Sequence, residues 1–431
     1  MNKAPITRNE EAFRARVLAL DGKLKMTQLP IPILYFSNEP ARGGAEEHLL
    51  TLLRGLDRTY FQPLLACPPE LVEKLRPDLP SDIEVFPISL RKFSHVGAML
   101  RLARILRERA VRILHSHLFY ASLFASPIAW MCGVPVIIET PHVREDWRRG
   151  WLKSKFVVDR VVGQIITHYV AVSHANKRYL VEEKALAKEK IIVIHNGSDL
   201  RRFRPGQAPS SNLRQSLGLG TDDPVLMVVG RLEPQKGHKV LLEAMPSIRR
   251  EFSSVRLVCV GTGSLHDELL DLARKLGIED AVRFVGFQTD VGEWLNLADV
   301  TVLPSFYEGL PLVAIESLAV AKPVIATTVD GSGEVVVDGE TGLTAPPGNS
   351  QALSAAICRL LGDVELRKKL GRQGREWVCK HFDEREQIKQ TQDLYLTALD
   401  CATQGMRKPM QLVQTETKPS PARSNHGEGR R

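Results

Sequence analysis

Short apolar runs rich in β-branched residues, each closed by Gly, Pro, Asn or Ser and followed by a stretch of helical periodicity, recur along most of this chain. Residues 31–37 (IPILYFS), 61–67, 83–86, 112–115, 136–139, 170–173, 225–229, 255–261, 282–287 and 300–303 read as strands, most of them continuous apolar runs with no polar face. Strands that alternate with helices in this way build parallel sheets covered on both faces, so the fold class is α/β. At 431 residues the chain outgrows a single core, which stops near roughly 250–300 residues, and two domains are expected. Residues 205–220, rich in Pro, Gly and Ser, read as linker and surface turn.

Composition excludes several classes. An apolar fraction of 43% supports sizeable cores, yet no apolar run approaches the roughly 18 residues of a membrane span, and the first thirty residues mix Arg, Glu and Lys. A soluble, cytoplasmic protein is expected. The six cysteines are scattered without a CxxC pair, which suggests free buried thiols and neither disulfides nor zinc. The formal net charge of +8 invites a nucleic-acid reading, but half of it falls in residues 402–431, a Pro/Ser/Gln-rich stretch with six cations against two carboxylates that reads as a disordered tail. A second share lies between Arg144 and Lys190, where Arg148, Arg149, Lys153, Lys155 and Arg160 interleave with Trp147, Trp151, Phe156, Val157 and Val158. That mixture suits an anionic membrane surface, and equally an ordinary solvated helix face.

The chemistry concentrates in residues 303–323, LPSFYEGLPLVAIESLAVAKP. A strand ends, a turn rich in Gly and Pro follows, and Pro311 suits the first turn of a helix. Glu308 then stands just before the helix and Glu316 about two turns inside it, roughly 12 Å away, about the span of a sugar diphosphate plus a ribose. Glu316 interrupts an apolar helix, and a carboxylate there needs a partner that a hydroxyl-rich ligand would supply. The helix N-terminus between the two presents free N–H groups to a phosphate. Upstream, the strand 225–229 ends at Gly230, Arg231 follows at once and Lys236 comes five residues later. Two cations around such a loop can grip a diphosphate, Arg as a planar fork and Lys as a point charge. Gly43 and Gly44 sit at a strand-to-helix junction where backbone can approach a ligand closely. His115 and His117 end another strand and are expected to point to opposite faces, with His117 the one toward the ligand side of the sheet. A Gly-Thr-Gly at 261–263 lacks the full dinucleotide spacing, so no nicotinamide site is read there.

Together these motifs resemble, in order and spacing over residues 31–400, the retaining glycosyltransferases of the GT-B fold, family 4. The resemblance implies two doubly wound Rossmann-like domains facing across a cleft. It divides the chain into an extension (1–30), an acceptor-binding domain (31–200), a nucleotide-sugar-binding domain (201–385), a helix crossing back (386–401) and the tail (402–431). It assigns Arg231, Lys236, Gly309 and Leu310 to the donor diphosphate, Glu308 and His117 to catalysis, Glu316 to the ribose, and Gly43, Gly44 and His142 to the loops between donor and acceptor. Asn196, Gly197 and Asp199 match an element near the hinge, and residues 287–291 the nucleobase loop. The implied activity is transfer of a sugar from a nucleoside diphosphate sugar to a saccharide or lipid-linked acceptor in cell-envelope polysaccharide or glycolipid synthesis. The protein would then work at the inner face of the plasma membrane. With Arg and Lys available and no DxD motif, no metal and no further cofactor are expected. Two rivals are a nucleotide-sugar epimerase of the same fold, and a non-enzymatic basic protein that binds membrane or nucleic acid.

Overall fold

The computed structural model describes residues 30–145, 155–206 and 211–404. Nearly all of the N-terminal extension, the Trp147–Lys153 part of the basic aromatic segment and the tail beyond residue 404 lie outside these described residues. Two parallel sheets organise the rest. The first runs in the order β3-β2-β1-β4-β5-β6-β7. Its strands are β1 (Ile31–Ser37), β2 (Phe61–Cys67), β3 (Glu84–Pro87), β4 (Ile113–His117), β5 (Val136–Thr140), β6 (His168–Ala171) and β7 (Ile191–Val193). The second runs β10-β9-β8-β11-β12-β13. It comprises β8 (Val225–Val229), β9 (Arg256–Val260), β10 (Val282–Phe284), β11 (Val300–Leu303), β12 (Val324–Thr327) and β13 (Gly342–Ala345).

The apolar runs explain themselves in this setting. Along β1, Ile33 and Tyr35 enter one core while Leu34 and Phe36 enter the core on the opposite face, so both faces of the strand demand apolar side chains. In β8, Leu226 and Val228 split from Met227 and Val229 in the same way. The strand β13 was not expected: its glycine-bounded sequence reads as turn, and it becomes a strand by pairing with β12. The linker region also carries a short helix, Ser211–Ser216.

Chain order reverses beside β1 and β4 in the first sheet and beside β8 and β11 in the second. At such switch points the loops leaving the carboxyl ends diverge and open a crevice. The final helix, Glu384–Thr403, packs on the first domain, where Leu394, Tyr395, Leu396 and Leu399 are buried with Leu49, Leu52 and Phe61. Each fully buried side chain of this size contributes about 1.5–3 kcal/mol. The two chain crossings between domains touch each other: Ser198 N–H donates to the Phe382 carbonyl and Glu384 N–H to the Ser198 carbonyl. A side chain at Gly197 would stand 2.5 Å from the Glu384 Cα, which is why glycine follows Asn196 here.

Candidate active site

A cavity of about 550 Å³ lies between the domains, walled by loops from the carboxyl ends of both sheets. Gly43, Gly44, His142, Arg231, Lys236, Glu308, Gly309, Leu310 and Glu316 all line it, as do Asn196 and the 287–289 loop. His117 does not.

On the second-domain side Lys236, Glu308 and Arg231 already have partners. Lys236 Nζ lies 2.6 Å from Glu308 Oε1, and the same oxygen accepts the Ser305 hydroxyl at 2.7 Å. Arg231 donates to the Gln235 side chain, whose amide in turn donates to the Tyr307 carbonyl, so the loops after β8 and β11 hold each other in place. Glu308 N–H donates to Asp330 Oδ2, and Arg144 of the first domain donates to Asp330 Oδ1 at 2.9 Å. Asp330 has φ 34, a left-handed conformation that Asp tolerates better than most residues. The domains also meet at Gly309, whose carbonyl accepts the Ser173 hydroxyl. A Cβ on Gly309 would stand 1.7 Å from the His142 carbonyl, so only glycine permits this approach.

The helix carrying Glu316 spans Leu312–Ala319 with Pro311 as its N-cap. Glu316 therefore sits about one turn inside, rather than the two expected. Burial pushes its carboxyl up to about 7, and nearby Glu47 adds to the shift while Arg202 opposes it.

The first-domain wall is built differently. Gly43 caps the helix Gly44–Gly55, and its N–H donates to Glu46 Oε2 at 2.9 Å. Gly44 has nothing within 4 Å of where a Cβ would point. Beyond β4, Leu118 takes φ 70, costly for a branched side chain, and the turn it makes brings Phe119 and Tyr120 to the cavity. His48, His115, His117 and His142 form a buried cluster: His115 and His117 stack at 4.8 Å between ring centroids, and His48 meets His142 edge-on at 4.8 Å. The opposite-face expectation for His115 and His117 is thus overturned, because residues two apart on a strand share a face. The cleft-facing role expected of His117 also shifts. Only 1% exposed, it bonds through Nδ1 to His142 Nε2 at 3.0 Å, and His142 is the ring that reaches the cavity. Burial drives both imidazoles well below their ordinary value, reinforced by the neighbouring rings, and both are neutral. His115 is tied to Tyr395 of the final helix at 2.6 Å and His48 to Asn196 at 2.7 Å, so the cluster rests on both crossings.

Glu46 escaped the sequence reading. It lines the cavity at 4% exposure, Oε1 has no hydrogen-bond partner among the described residues, and burial pushes its carboxyl up to about 8. The signal was present: Gly43-x-x-Glu46 has capping-box spacing. Of the basic aromatic segment, Val157, Val158 and Arg160 are exposed, whereas cations further along the 144–190 stretch turn inward. Lys184 is buried between Glu145 and Asp159, and Lys190 donates to the carbonyls of Gly163 and Ile166. Of the six free cysteines three are buried, while Cys132 and Cys358 are half-buried and Cys379 is exposed. Among the described residues no helix is long and apolar enough to cross a membrane.

Two doubly wound parallel domains with a cavity between their strand ends make up the GT-B architecture. Family models agree: one described as Glycosyltransferase Family 4 matches residues 42–202, and one described as Glycosyl transferases group 1 matches residues 209–377. A glycogen synthase of Mycobacterium tuberculosis is 30% identical over 329 residues, covering 73% of this chain and 75% of the relative. A D-inositol 3-phosphate glycosyltransferase of Thermobispora bispora is 31% identical over 63% of this chain and 67% of its own length. Among solved structures, Anabaena HepE in complex with UDP and glucose superposes with a TM-score of 0.74 at 20% identity, over 84% of this chain and 99% of its own. A Rickettsia africae glycosyltransferase gives 0.72 at 21%, over 86% and 99%. The chain belongs to the group 1 glycosyltransferases, family 4, and is a transferase enzyme.

Proposed function

We propose that this enzyme transfers a sugar, with retention of anomeric configuration, from a nucleoside diphosphate sugar to a hydroxyl of a saccharide or lipid-linked acceptor in cell-envelope polysaccharide or glycolipid synthesis. The observation that carries the reading is that Arg231, the Lys236–Glu308 pair and Glu316 line one cavity together. Departure of a nucleoside diphosphate builds negative charge on the leaving oxygen, and fixed cations beside it stabilise that state more than the bound donor. Lys236 exchanges part of its bond with Glu308 for the diphosphate. Both contacts of the Glu308 carboxylate use Oε1, which leaves Oε2 for the sugar hydroxyls. Glu316, ionised, accepts the ribose hydroxyls, and His142, steadied by His117, meets the acceptor or the sugar. Gly43 and Gly44 let the first-domain backbone approach the phosphates. Uridine is the base favoured first, because HepE was solved with UDP and with UDP-glucose.

Work at an anionic membrane face is supported by an exposed apolar patch flanked by cations on the first domain. Phe93, Val96 and Leu100 are exposed at the start of the helix Val96–Glu108, flanked by exposed Arg91, Lys92, Arg101 and Arg104. Sedimentation with anionic liposomes should fall on changing Lys92 and Arg101 to Glu; equal binding removes the membrane from the proposal.

The main test is thermal unfolding with UDP-, GDP-, ADP- and TDP-sugars, since a ligand at 100 times its Kd adds about 2.7 kcal/mol. Stabilisation by one base identifies the donor, and NMR of the product's anomeric proton then decides retention. Absence of stabilisation by all four, or an inverted product, overturns the corresponding half of the proposal.

A further inference from the structure

His174, His195 and Glu334 converge at the domain interface, and none of them lines the cavity. His174 opens the helix His174–Glu182 and His195 lies just past β7, both in the first domain, while Glu334 comes from the short helix Ser332–Val335 of the second. One ligand atom from each lies within 4.8 Å of the other two. His195 Nε2 is 2.9 Å from Glu334 Oε2, and the two imidazoles meet edge-on at 5.4 Å.

We propose that these three side chains form a site for a zinc-type divalent cation that bridges the two domains and clasps them closed. Two imidazole nitrogens and one carboxylate oxygen suit zinc and its transition-metal neighbours, whereas magnesium and calcium favour all-oxygen sites. Ligand atoms sharing one tetrahedral ion at bonds of about 2.0–2.2 Å stand about 3.4 Å apart, so side-chain rotations that draw His174 in complete the set and leave a fourth position for water.

The surroundings already orient the ligands. Glu334 Oε1 accepts the Ala175 N–H at 2.9 Å and Oε2 the His174 N–H at 3.0 Å, which fixes the carboxylate. The His195 ring rests edge-on against Phe382 at 5.6 Å. Such outer contacts set the aim of metal ligands. The positive end of the His174–Glu182 helix disfavours a cation, and the Glu334 charge offsets it, so binding is expected to be micromolar rather than nanomolar. This site does not depend on the donor or acceptor proposed above.

The test uses the full chain, freed of any purification tag and stripped with chelator, titrated with zinc alone by calorimetry and with Co²⁺ by visible absorption. One saturable equivalent is expected, with d–d bands of a four-coordinate nitrogen/oxygen site and a smaller radius of gyration in solution scattering. His195→Ala should weaken binding at least tenfold. His174→Ala, at an exposed position, should do the same without disturbing the circular dichroism of the fold. No saturable binding overturns the proposal. So does binding unchanged in the His174→Ala/His195→Ala double variant, which would place the metal on Cys379 or other side chains and leave a clasp held by hydrogen bonds alone.

Discussion

The two walls of the cavity hold their titratable groups differently. On the second-domain wall Lys236 stands against Glu308, with Ser305 sharing the carboxylate. The first-domain wall carries charges too, among them Arg42, Glu47, Asp78 and Arg144, but its His142 belongs to a cluster of four histidines held neutral by burial, and its Glu46 is pushed up to about 8. A paired cation can exchange its partner for a phosphate. Neutral donors and acceptors can sort hydroxyl groups without attracting ions. The contrast between the Lys236–Glu308 pair and the histidine cluster is what a transferase needs if donor and acceptor differ in charge.

The largest effect should come from removing the second-domain cations. Lys236→Ala or Arg231→Ala is expected to lower kcat/KM by on the order of 10²–10³ while the unfolding transition stays cooperative. Turnover within a few-fold of wild type would break the comparison. Next, Glu316→Gln should weaken nucleotide binding about tenfold at pH 8, about 1.4 kcal/mol. Because the Glu316 carboxyl is pushed up to about 7 and its ionised form is the acceptor, wild-type nucleotide affinity should tighten between pH 6 and 8, and calorimetry on the Gln variant should find a flat profile.

In the neutral histidine cluster, His142→Ala should lower kcat/KM for the acceptor about tenfold with the nucleotide Kd unchanged. His117→Ala should instead appear mainly as lost stability, about 1–3 kcal/mol by denaturant titration, since it leaves His142 Nε2 unpartnered. Equal kinetic defects in the two variants would erase the distinction between the ring that touches substrate and the ring that steadies it. The smallest effect belongs to Glu46. A carboxyl whose folded pKa is raised stabilises the fold below its unfolded value near 4.5, and that contribution is lost as pH rises through about 8. Melting curves of wild type should therefore fall between pH 6 and 8, and Glu46→Gln should shrink that fall by about 2–4 °C, about 1 kcal/mol.

The same division governs what could be read without coordinates. Arg231, Lys236 and Glu308 sit on short loops and turns and Glu316 on the short helix that follows, where local spacing encodes geometry. The histidine cluster is assembled from a helix (His48), a strand (His115 and His117) and a loop (His142), and only packing decides that His142 is the one that lines the cavity. The parity of a strand would have put His115 and His117 on one face, and the capping spacing would have found Glu46. The bridges from Arg144 to Asp330 and from Glu334 to the His174 helix join residues 186 and 160 positions apart, a separation at which no local pattern operates.

The double crossing at Ser198 and Glu384 makes the two halves unequal as modules. The second domain is one continuous stretch of chain, but the first is completed by the Glu384–Thr403 helix, which supplies Tyr395 to His115 and Gln387 to the Gly197 amide. A chimera that exchanges the second domain between relatives must therefore splice at both crossings and keep residues 384–403 with the first domain. A single junction in the linker would give each product a first domain completed by a stranger's helix.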